Sequence, residues 1–555
     1  MLSGGSDSPR PRQFRDIRVP LERHGVAPIV QHSLGGGTRL PVTNRVSVEA
    51  MPIVHDWLAR RAALAPERTA LIDAQHGERH ISFREWNASA SRTAAFLHHA
   101  LGVGRGDRVA VLAYNGVEFL DLFFACAKLG AILQPLNWRL SASELGSLLA
   151  DAEPSVFVFG PEFRAQAEAV RPGAAFVKHW LSLASPGLGE RAFSERDGQK
   201  DVSLPALELE ADAPWVLCYT GGSTGLPKAA VLTHGSITAN AVNTVMGWGL
   251  TAGDVALLNA PLFHAGGLSV FTAPLVYVGG ASVVCRSFDV EGVFDLVQRG
   301  VVNLVFGVPT MFIEMQRHPR FDAVDLSRVK LVISGGAPCP EPVFERFFAR
   351  GVDFKTGYGL TEAGPNNFWL PPEDVRRKPG AVGVPLFHVE ARIEGEAQPG
   401  DVGELLLRGP HLCAGYWRRP EDTARTFAGG WLHTGDLAVR DAEGCFRIVG
   451  RSKDLIISGG ENIYPSEVES VLAGHPEVAE VAVIGVVDPK WGETPRALVV
   501  ARPGTAPSAE ALLAFCDGRL ARYKTPKSVR FIDALPRTSA GKVDRRALSA
   551  THGAP

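Results

Sequence analysis

Short apolar runs alternate with amphipathic segments along the first part of the chain. Runs that predict strands covered on both faces lie at 108–113, 131–136 and 156–159. Segments with helical spacing of apolar residues lie at 51–65, 86–101, 116–129 and 141–151. Ser141 followed by Glu144 has the sequence of a capping box, which predicts where the last of these helices begins. Strands that alternate with helices predict a parallel sheet with helices on its faces.

The same alternation continues between residues 210 and 380. Apolar runs that predict strands lie at 215–219, 281–285, 302–307, 331–335 and 353–355. Segments that predict helices lie at 290–299 and 342–350, whereas 161–210 is weakly patterned and predicts loops around short elements. The predicted fold class is therefore α/β, and ligands of such sheets bind beyond the carboxyl ends of the strands.

The pattern changes near residue 380 and again near residue 451. Short strands that predict a small antiparallel β subdomain over 380–450 lie at 391–394, 403–407, 437–440 and 445–449. The remaining residues have an α+β pattern of their own, with helices at 467–472 and 509–520 and strands at 481–487, 496–501 and 529–533. We expect a large domain over 48–450 and a small one over 454–555. Residues 1–47 lack a periodic pattern, which predicts a disordered extension.

Composition indicates a soluble globular protein of 555 residues, with 45 % apolar and 21 % charged residues. The formal net charge of −2 gives no electrostatic reason to expect nucleic acid or an anionic membrane as a partner. Residues 255–285 carry no charged side chain, but prolines and glycines interrupt them, so we expect a buried segment and no membrane span. Seven scattered cysteines without a CxxC pair argue against a disulfide framework or a zinc site and favour a cytoplasmic location.

A glycine-rich loop follows the predicted strand at 215–219. Within residues 219–230, hydroxyl and ammonium donors are supplied by Thr220, Ser223, Thr224 and Lys228, and backbone freedom by Gly221, Gly222 and Gly225. A strand that opens into such a loop predicts a phosphate cradle, with a flexible surface loop as the plain alternative. Leu226 and Pro227 separate the last glycine from Lys228, which excludes the Walker A pattern and disfavours a helix directly after the loop.

Residues 219–230 closely resemble the signature of the adenylate-forming superfamily, which includes acyl- and aryl-CoA synthetases, adenylation domains of peptide synthetases and firefly-type luciferases. Ala229 stands where this family usually has glycine. Further motifs of the family follow in order, so that the resemblance covers roughly residues 50–548. It implies stacked αβα sheets in the large domain. It also implies a mobile C-terminal domain that rotates about a hinge at residues 451–453, where Lys453 is the hinge residue.

The resemblance assigns a nucleotide site to the glycine-rich loop and to four further motifs. Outside the glycine-rich loop, the residues that it implies to bind ATP or AMP are Gly335, Gly336, Ala337, Gly357, Tyr358, Gly359, Thr361, Asp436 and Arg451. Tyr358 would stack on adenine, Thr361 would contact a phosphate oxygen, and Glu362 would bind Mg²⁺, a metal that prefers oxygen ligands. Asp436 and Arg451 would hold the ribose. Taken alone, each motif is also compatible with an ordinary turn or a charged linker.

Catalysis is assigned by the same resemblance to Lys542, Lys228, Thr361 and Glu362. Lys542 would bridge the substrate carboxylate and the α-phosphate of ATP, because a positioned cation offsets the repulsion between two anions. The preceding residues Ser539, Ala540 and Gly541 depart from the commoner order in the family. For a later step, the resemblance places the pantetheine arm of CoA beside Gly459, Gly460, Glu461 and Asn462.

Two segments, 261–267 and 307–311, resemble the lining of the family's acyl tunnel. The residues implied to line the acyl pocket are His264, Gly307, Thr310 and Met311. His264 matches a position that often gates the tunnel, and a histidine of the core is the alternative. The lining shows no charged side chain that would pair with an ammonium or a second carboxylate, so we expect a fatty or aryl monocarboxylic acid. Residues 458–465 and 488–493 look most like fatty-acyl-CoA synthetases.

Together these motifs predict an ATP-dependent acyl-CoA synthetase that works in two half-reactions. The carboxylate would first attack ATP to give acyl-AMP and pyrophosphate, and the CoA thiol would then displace AMP. ATP, Mg²⁺ and CoA are the expected cofactor and co-substrates. Two other hypotheses stay open: a fatty-acyl-AMP ligase that loads a carrier protein, and a non-catalytic protein that binds acyl groups or nucleotides. A homodimer is also left open, since the sequence does not determine the oligomeric state.

Overall fold

The computed structural model of the protein describes residues 54–220, 227–538 and 541–554. The expected N-terminal extension at 1–47 lies outside the described residues. So do six residues of the glycine-rich loop, among them Gly221, Gly222, Ser223, Thr224 and Gly225.

Helices and strands alternate through the first two-thirds of the chain. Up to the glycine-rich loop, the elements are α1 (Trp57–Leu64), β1 (Thr69–Asp73), β2 (Arg79–Ser82), α2 (Phe83–Ala95), β3 (Arg108–Leu112), α3 (Val117–Leu129), β4 (Ile132–Pro135), α4 (Ala142–Ala152), β5 (Val156–Phe159), α5 (Arg164–Val170), β6 (His179–Ser182), β7 (Arg191–Ala192) and β8 (Pro214–Thr220). After the loop they are β9 (Lys228–Thr233), α6 (His234–Gly247), β10 (Val255–Leu258), α7 (Ala265–Ser269), α8 (Thr272–Val278), β11 (Ala281–Val284), α9 (Val290–Gln298), β12 (Leu304–Gly307), α10 (Pro309–Arg317), β13 (Leu331–Ser334), α11 (Glu341–Ala349) and β14 (Phe354–Thr356).

These elements build two seven-stranded sheets. Their strand orders are β14-β13-β12-β10-β11-β1-β2 and β7-β6-β5-β3-β4-β8-β9. Pairing is parallel except at one edge of each sheet, where β2 runs antiparallel to β1 and β9 antiparallel to β8. The predicted α/β class is confirmed. The capping box at Ser141 and Glu144 is also present, and α4 begins directly after it.

The strand before the glycine-rich loop is anchored in the largest hydrophobic core. Trp215 of β8 stacks on Phe123 of α3 with ring centroids 4.3 Å apart, and its indole N–H donates to the Phe123 carbonyl at 2.8 Å. The ring of His234, the first residue of α6, stacks on Trp215 at 4.7 Å. Because large aromatic rings fix the strand by both packing and a hydrogen bond, the end of β8 is a rigid support for whatever follows it.

A small antiparallel sheet follows the two large ones. Its elements, with the short strands and the helix around them, are β15 (Phe368–Trp369), β16 (Val384–Pro385), β17 (Glu390–Ile393), β18 (Val402–Arg408), α12 (Pro420–Thr426), β19 (Leu432–Arg440) and β20 (Phe446–Arg451). The strand order is β17-β18-β19-β20, with antiparallel pairing throughout. The antiparallel sheet expected over 380–450 is therefore present, and β19 begins five residues earlier than the predicted strand at 437–440.

The last part of the chain forms a separate five-stranded sheet with three helices. Its elements are β21 (Ile456–Ser458), β22 (Glu461–Ile463), α13 (Pro465–Ala473), β23 (Val478–Asp488), β24 (Gly492–Ala501), α14 (Ala509–Phe515), β25 (Ser528–Phe531) and α15 (Arg545–His552). A single 3₁₀ turn, Ser452–Asp454, joins β20 of the preceding sheet to β21. This turn overlaps the hinge expected at residues 451–453, whose movement stays a prediction.

Some elements differ from the sequence-based expectation. The helix expected at 509–520 ends at Phe515, and Gly518 a few residues later adopts a left-handed conformation with φ 71°. The elements that were not predicted include β1, β2, β9, α6, α10 and α15. Within the described ranges, the helices are all too short or too polar to cross a membrane.

Candidate active site

Three loops meet where parallel strands of one sheet end. The amide of Gly335, after β13, donates to the carbonyl of Gly307 at the end of β12 over 3.1 Å. The amide of Gly357, after β14, donates to the carbonyl of Ser334 over 2.7 Å. The three predicted segments around Gly307, Gly335 and Gly357 are thus held side by side at the carboxyl edge of the sheet, where α/β proteins bind ligands.

Lys228 is fixed by a hairpin at the edge of the other large sheet. It is the first residue of β9 and pairs in register with Thr220, the last residue of β8. Its ammonium lies 2.8 Å from a carboxylate oxygen of Asp422 and 5.5 Å from the ring centroid of Tyr416. The hairpin therefore presents Thr220 and Lys228 together at the base of the glycine-rich loop.

Asp436 is held from both sides. The hydroxyl of Tyr358 donates to Asp436 Oδ2 at 2.7 Å, and Arg451 Nε lies 2.9 Å from Oδ1. Asp436 and Arg451 are register partners on β19 and β20. Burial, and then the Asp436 charge, raise the pKa of Tyr358 well above its usual value, so this phenol stays protonated and donates permanently. The two residues predicted to bind the ribose, Asp436 and Arg451, are thus adjacent. Tyr358, the residue predicted to stack on adenine, contacts Asp436.

Glu362 lies near the strand that leads to the glycine-rich loop. Burial raises the pKa of the Cys218 thiol on β8 to about 12, and the charge of Glu362 and a hydrogen bond with Thr361 also act on this thiol. One Glu362 oxygen, Oε1, accepts a 2.7 Å hydrogen bond from the Tyr416 hydroxyl. The described residues offer no hydrogen bond to the other oxygen, Oε2. A half-buried carboxylate with one free oxygen suits Mg²⁺, so Glu362 could hold this metal.

Lys542 reaches the same cleft from the C-terminal part of the chain. A turn presents it: the Thr538 amide donates to the Lys542 carbonyl at 2.7 Å, and the Gly541 amide to the Thr538 carbonyl at 2.8 Å. Desolvation, and then Arg451, lower the pKa of Lys542, while Asp436 and Glu362 act in the opposite direction. Lys542 as a residue keeps solvent-exposed surface, whereas the groups around its ammonium desolvate it.

His264 borders this cleft on the predicted acyl side. It lies directly before α7, and its buried Nε2 has no hydrogen-bond partner among the described residues. Burial first, and then the charges of Arg139 and Lys542, lower the pKa of His264 to about 4. The imidazole is therefore neutral at pH 7, and the effect of Lys542 places the predicted gate residue and the predicted catalytic cation in the same region.

Phe306 lies on the predicted acyl side and was not recognised from the sequence. A Cβ built on Gly266 would lie 3.4 Å from one edge of the Phe306 ring, and a Cβ on Gly335 would lie 3.2 Å from the other. The ring therefore fits between two glycine backbones. A small apolar cavity adjoins it, lined among others by Ala256, Leu258, Ala260, Val270 and Phe271.

The other residues predicted to line the acyl pocket differ in their exposure to solvent. Gly307 packs on the ring of Phe312 and the sulfur of Met311, since a Cβ at Gly307 would lie 3.1 and 3.3 Å from them. Thr310, in the first turn of α10, is exposed. Thr310 thus differs from Met311, which is half-buried.

The predicted CoA loop lies apart from this cluster. Gly459, Gly460, Glu461 and Asn462 are exposed on the β21–β22 hairpin. The amide of Gly459 donates to the Trp491 carbonyl at 2.7 Å, and a Cβ on Gly459 would lie 2.7 Å from the Trp491 ring. The contacts found among the described residues do not join this hairpin to Glu362 or Lys542. Among the described residues, the structure therefore brings together Tyr358, Asp436, Arg451, Glu362 and Lys542, and leaves the CoA loop outside.

Comparison with known families agrees with this arrangement. A family model described as AMP-binding enzyme matches residues 58–417. The chain belongs to the AMP-binding enzyme family. A second model, described as the AMP-binding enzyme C-terminal domain, matches residues 467–542 and so ends at the lysine that reaches the cleft.

Curated relatives of this AMP-binding enzyme are acid–CoA ligases. A feruloyl-CoA synthase from Amycolatopsis is 42% identical over 88% of this chain and 96% of its own length. An indoleacetate–CoA ligase from Aromatoleum aromaticum is 39% identical over the same shares of the two chains. A long-chain-fatty-acid–CoA ligase from Mycobacterium tuberculosis is 36% identical over 90% of this chain and 98% of its own. The resemblance to acyl-CoA synthetases of the adenylate-forming superfamily is thereby confirmed.

A solved structure extends the likeness to the fold of this AMP-binding enzyme. The O-succinylbenzoate–CoA synthetase from Bacillus subtilis, determined in complex with ATP and a magnesium ion, superposes with a TM-score of 0.79. It is 33% identical, over 89% of this chain and 99% of its own. The likeness thus covers both the large sheets and the C-terminal part of the chain.

Proposed function

We propose that the protein is an AMP-forming acid–CoA ligase specific for an aryl monocarboxylic acid. It would activate the acid with ATP to an acyl-adenylate and then transfer the acyl group to the thiol of CoA. The observation that carries this proposal is the convergence of Lys542, Glu362 and the Asp436–Arg451 pair on one cleft bordered by His264.

In the first half-reaction, an oxygen of the substrate carboxylate forms a bond to the α-phosphorus of ATP. The bond between the α-phosphorus and the bridging oxygen to the β-phosphate breaks, and pyrophosphate leaves with the electron pair. The Lys542 ammonium reduces repulsion between the two reacting anions, while Lys228 and the Thr220 hydroxyl bind the departing phosphates. Mg²⁺ bound at Glu362 would neutralise charge on the phosphate oxygens. Asp436 and Arg451 orient the nucleoside.

In the second half-reaction, the CoA thiolate attacks the acyl carbon and AMP leaves as the phosphate anion. The CoA loop around Gly459 lies outside the cleft, whereas Lys542 lies inside it. This arrangement suits the first half-reaction. We therefore infer that the C-terminal part rotates about the 3₁₀ turn Ser452–Asp454, withdrawing Lys542 and bringing the CoA loop to the adenylate.

The acyl side favours a compact aromatic acid. Phe306 fills the space between the Gly266 and Gly335 backbones, and the apolar cavity beside it is small. A site bounded by the Phe306 ring suits a flat aromatic group that stacks on this ring better than a long flexible chain. The relatives with 42% and 39% identity are named for feruloyl and indoleacetate groups, which are both aromatic. A long-chain fatty acid is the second candidate, supported by the relative with 36% identity.

The proposal also includes the cellular compartment of the protein and the acceptor of the acyl group. All seven cysteines are unpaired, which supports a reducing, cytoplasmic location. CoA is the proposed acceptor because the curated relatives are CoA ligases. A carrier-protein phosphopantetheine remains the alternative acceptor, and the experiment below separates the two.

The experiment measures pyrophosphate and AMP release with ATP and Mg²⁺ across matched arylpropenoic, arylacetic and alkanoic acids, with and without CoA. We expect AMP release that requires CoA and is fastest with the aryl acids. Faster turnover of long alkanoic acids would overturn the aryl assignment. Acid-dependent exchange of pyrophosphate into ATP without CoA turnover would overturn CoA as the acceptor and leave the adenylation half intact.

A further inference from the structure

One segment outside all the predicted motifs connects the anionic end of the proposed phosphate site, at Glu362, with its cationic end, at Lys228. Residues 413–417, here called the bridging segment, run beside β9. The Val231 amide donates to the Gly415 carbonyl at 2.9 Å, and the Trp417 amide to the Ala229 carbonyl at 2.8 Å. At its other end, the Cys413 amide donates to the Glu362 carbonyl at 2.8 Å. The bridging segment is thus bonded both to the strand that carries Lys228 and to the backbone of Glu362.

Tyr416 is the side chain of this segment that touches both functional groups. Its hydroxyl donates to Glu362 Oε1 at 2.7 Å, and its ring centroid lies 5.5 Å from Lys228 Nζ. A phenol is protonated in the physiological pH range, so the Tyr416 hydroxyl donates and the Glu362 carboxylate accepts.

The backbone around Tyr416 is itself fixed. Its amide donates to Thr423 Oγ1 at 2.9 Å, and a Cβ on Gly415 would overlap the Thr423 side chain. Gly415 also adopts a φ of 121°, which disfavours other residues. A ring that is held by its backbone on one side and by a hydrogen bond on the other has few alternative orientations.

We propose that Tyr416 is a positioning residue that fixes the Glu362 carboxylate and sets its spacing from Lys228 across the triphosphate. This inference rests on the proposed function, because it takes Glu362 as the ligand of Mg²⁺. A hydrogen bond to Oε1 selects one rotamer of Glu362 and leaves Oε2 for the metal. Hydrogen bonds that orient metal-binding carboxylates commonly change metal affinity or activity by about 10–100-fold when they are removed.

The test is Tyr416→Phe, which keeps the ring beside Lys228 and removes only the hydroxyl. Calorimetric titration with ATP at graded Mg²⁺ concentrations should show a half-saturating Mg²⁺ concentration raised about tenfold or more. Acyl transfer to CoA from supplied acyl-AMP should be unchanged. Because ATP binding is measured without any acid, this readout stays informative even if the proposed substrate or acceptor is wrong.

Two controls separate positioning from a merely structural effect. Tyr277→Phe removes a phenol whose ring packs edge-to-face on Trp57, and it should leave the Mg²⁺ dependence unchanged. In the Glu362→Gln background, the further change Tyr416→Phe should shift the Mg²⁺ dependence no more. An unaltered half-saturating Mg²⁺ concentration in Tyr416→Phe would overturn the proposal, whether or not the melting temperature falls. An equal further shift in the Glu362→Gln background would overturn it as well.

Discussion

The Lys228 ammonium lies 2.8 Å from the Asp422 carboxylate, with about a fifth of each side chain exposed. The hydrogen bond from Lys228 is the largest cause that lowers the pKa of Asp422, and Asp422 also pairs with Arg425. A triphosphate that reaches Lys228 therefore meets an anion already bound to this cation. Asp422 should weaken the binding of ATP and favour the departure of pyrophosphate.

Asp422→Asn should accordingly lower the KM for ATP and the inhibition constant of pyrophosphate by about two- to fivefold, the range for a partly exposed ion pair. Steady-state kinetics with pyrophosphate as product inhibitor measures both constants. The matched control is Glu421→Gln, which removes a neighbouring exposed charge that has no ion-pair partner among the described residues. An inhibition constant that rises in Asp422→Asn would contradict the prediction.

Lys542→Ala should reduce adenylation by at least about 100-fold, since groups that stabilise charge in a transition state are worth that much. Acyl transfer to CoA from supplied acyl-AMP should be spared, because Lys542 would leave the cleft before that step. Pyrophosphate exchange reports the first half-reaction, and thioester formation from acyl-AMP reports the second. Equal loss of both half-reactions would be inconsistent with the role proposed for this lysine.

Phe306→Ala should enlarge the acyl site by joining it to the adjoining apolar cavity. We expect kcat/KM for the best compact aryl acid to fall about tenfold, as for other changes of one apolar residue in a substrate pocket. The ratio of kcat/KM for longer or bulkier acids to kcat/KM for this acid should rise. Competition between paired acids measures this ratio. Phe387→Ala, which truncates a phenylalanine that is 79% exposed, is the control and should leave the ratio unchanged.

Lys355 should make the stability of the protein depend on pH. It is 4% exposed, its ammonium donates to the Leu370 carbonyl at 2.9 Å, and it lies 3.5 Å from the ring centroid of Trp369. Burial lowers the pKa of Lys355 from 10.5 to about 8. Between these two values the unfolded chain binds more protons than the folded one, so the free energy of unfolding rises with pH.

Lys355→Met should remove the pH dependence that Lys355 contributes to the free energy of unfolding. The difference in the free energy of unfolding between wild type and variant should grow in favour of wild type from about pH 8 to pH 10.5, and urea denaturation at several pH values measures it. The difference isolates Lys355 from other titrating groups. Parallel pH profiles for the two proteins would show that the ammonium is not desolvated in the folded state.

Local patterns predicted much of the fold. The run 156–159 is uniformly apolar and forms β5 with the same bounds, and Ser141 with Glu144 marks the start of α4. Helix α6 was missed for a physical reason. Its buried face carries polar residues, among them Ser236, Asn240, Asn243 and Thr244, so the helix lacks the apolar stripe by which amphipathic helices are recognised.

The candidate site was predicted as motifs, whereas its contacts depend on pairing between distant segments. Asp436 and Arg451 were each expected at the ribose, but only the register of β19 with β20 makes them neighbours. Tyr416 was missed because its partner, Glu362, is 54 residues away in sequence, and a lone tyrosine after glycine carries no recognisable pattern. Phe306 was missed likewise, since its two glycine neighbours come from separate segments, Gly266 from α7 and Gly335 from the loop after β13.

Strand β20 ends at Arg451, and the turn Ser452–Asp454 begins at the next residue. The side chain that holds Asp436 thus belongs to the residue from which the C-terminal part departs. Asp436 and Arg451 both precede the turn and belong to one sheet, so a rotation about the turn would leave this pair in place. A nucleoside bound to the pair would therefore stay in the same position through both half-reactions, while Lys542 leaves the cleft and the CoA loop enters it.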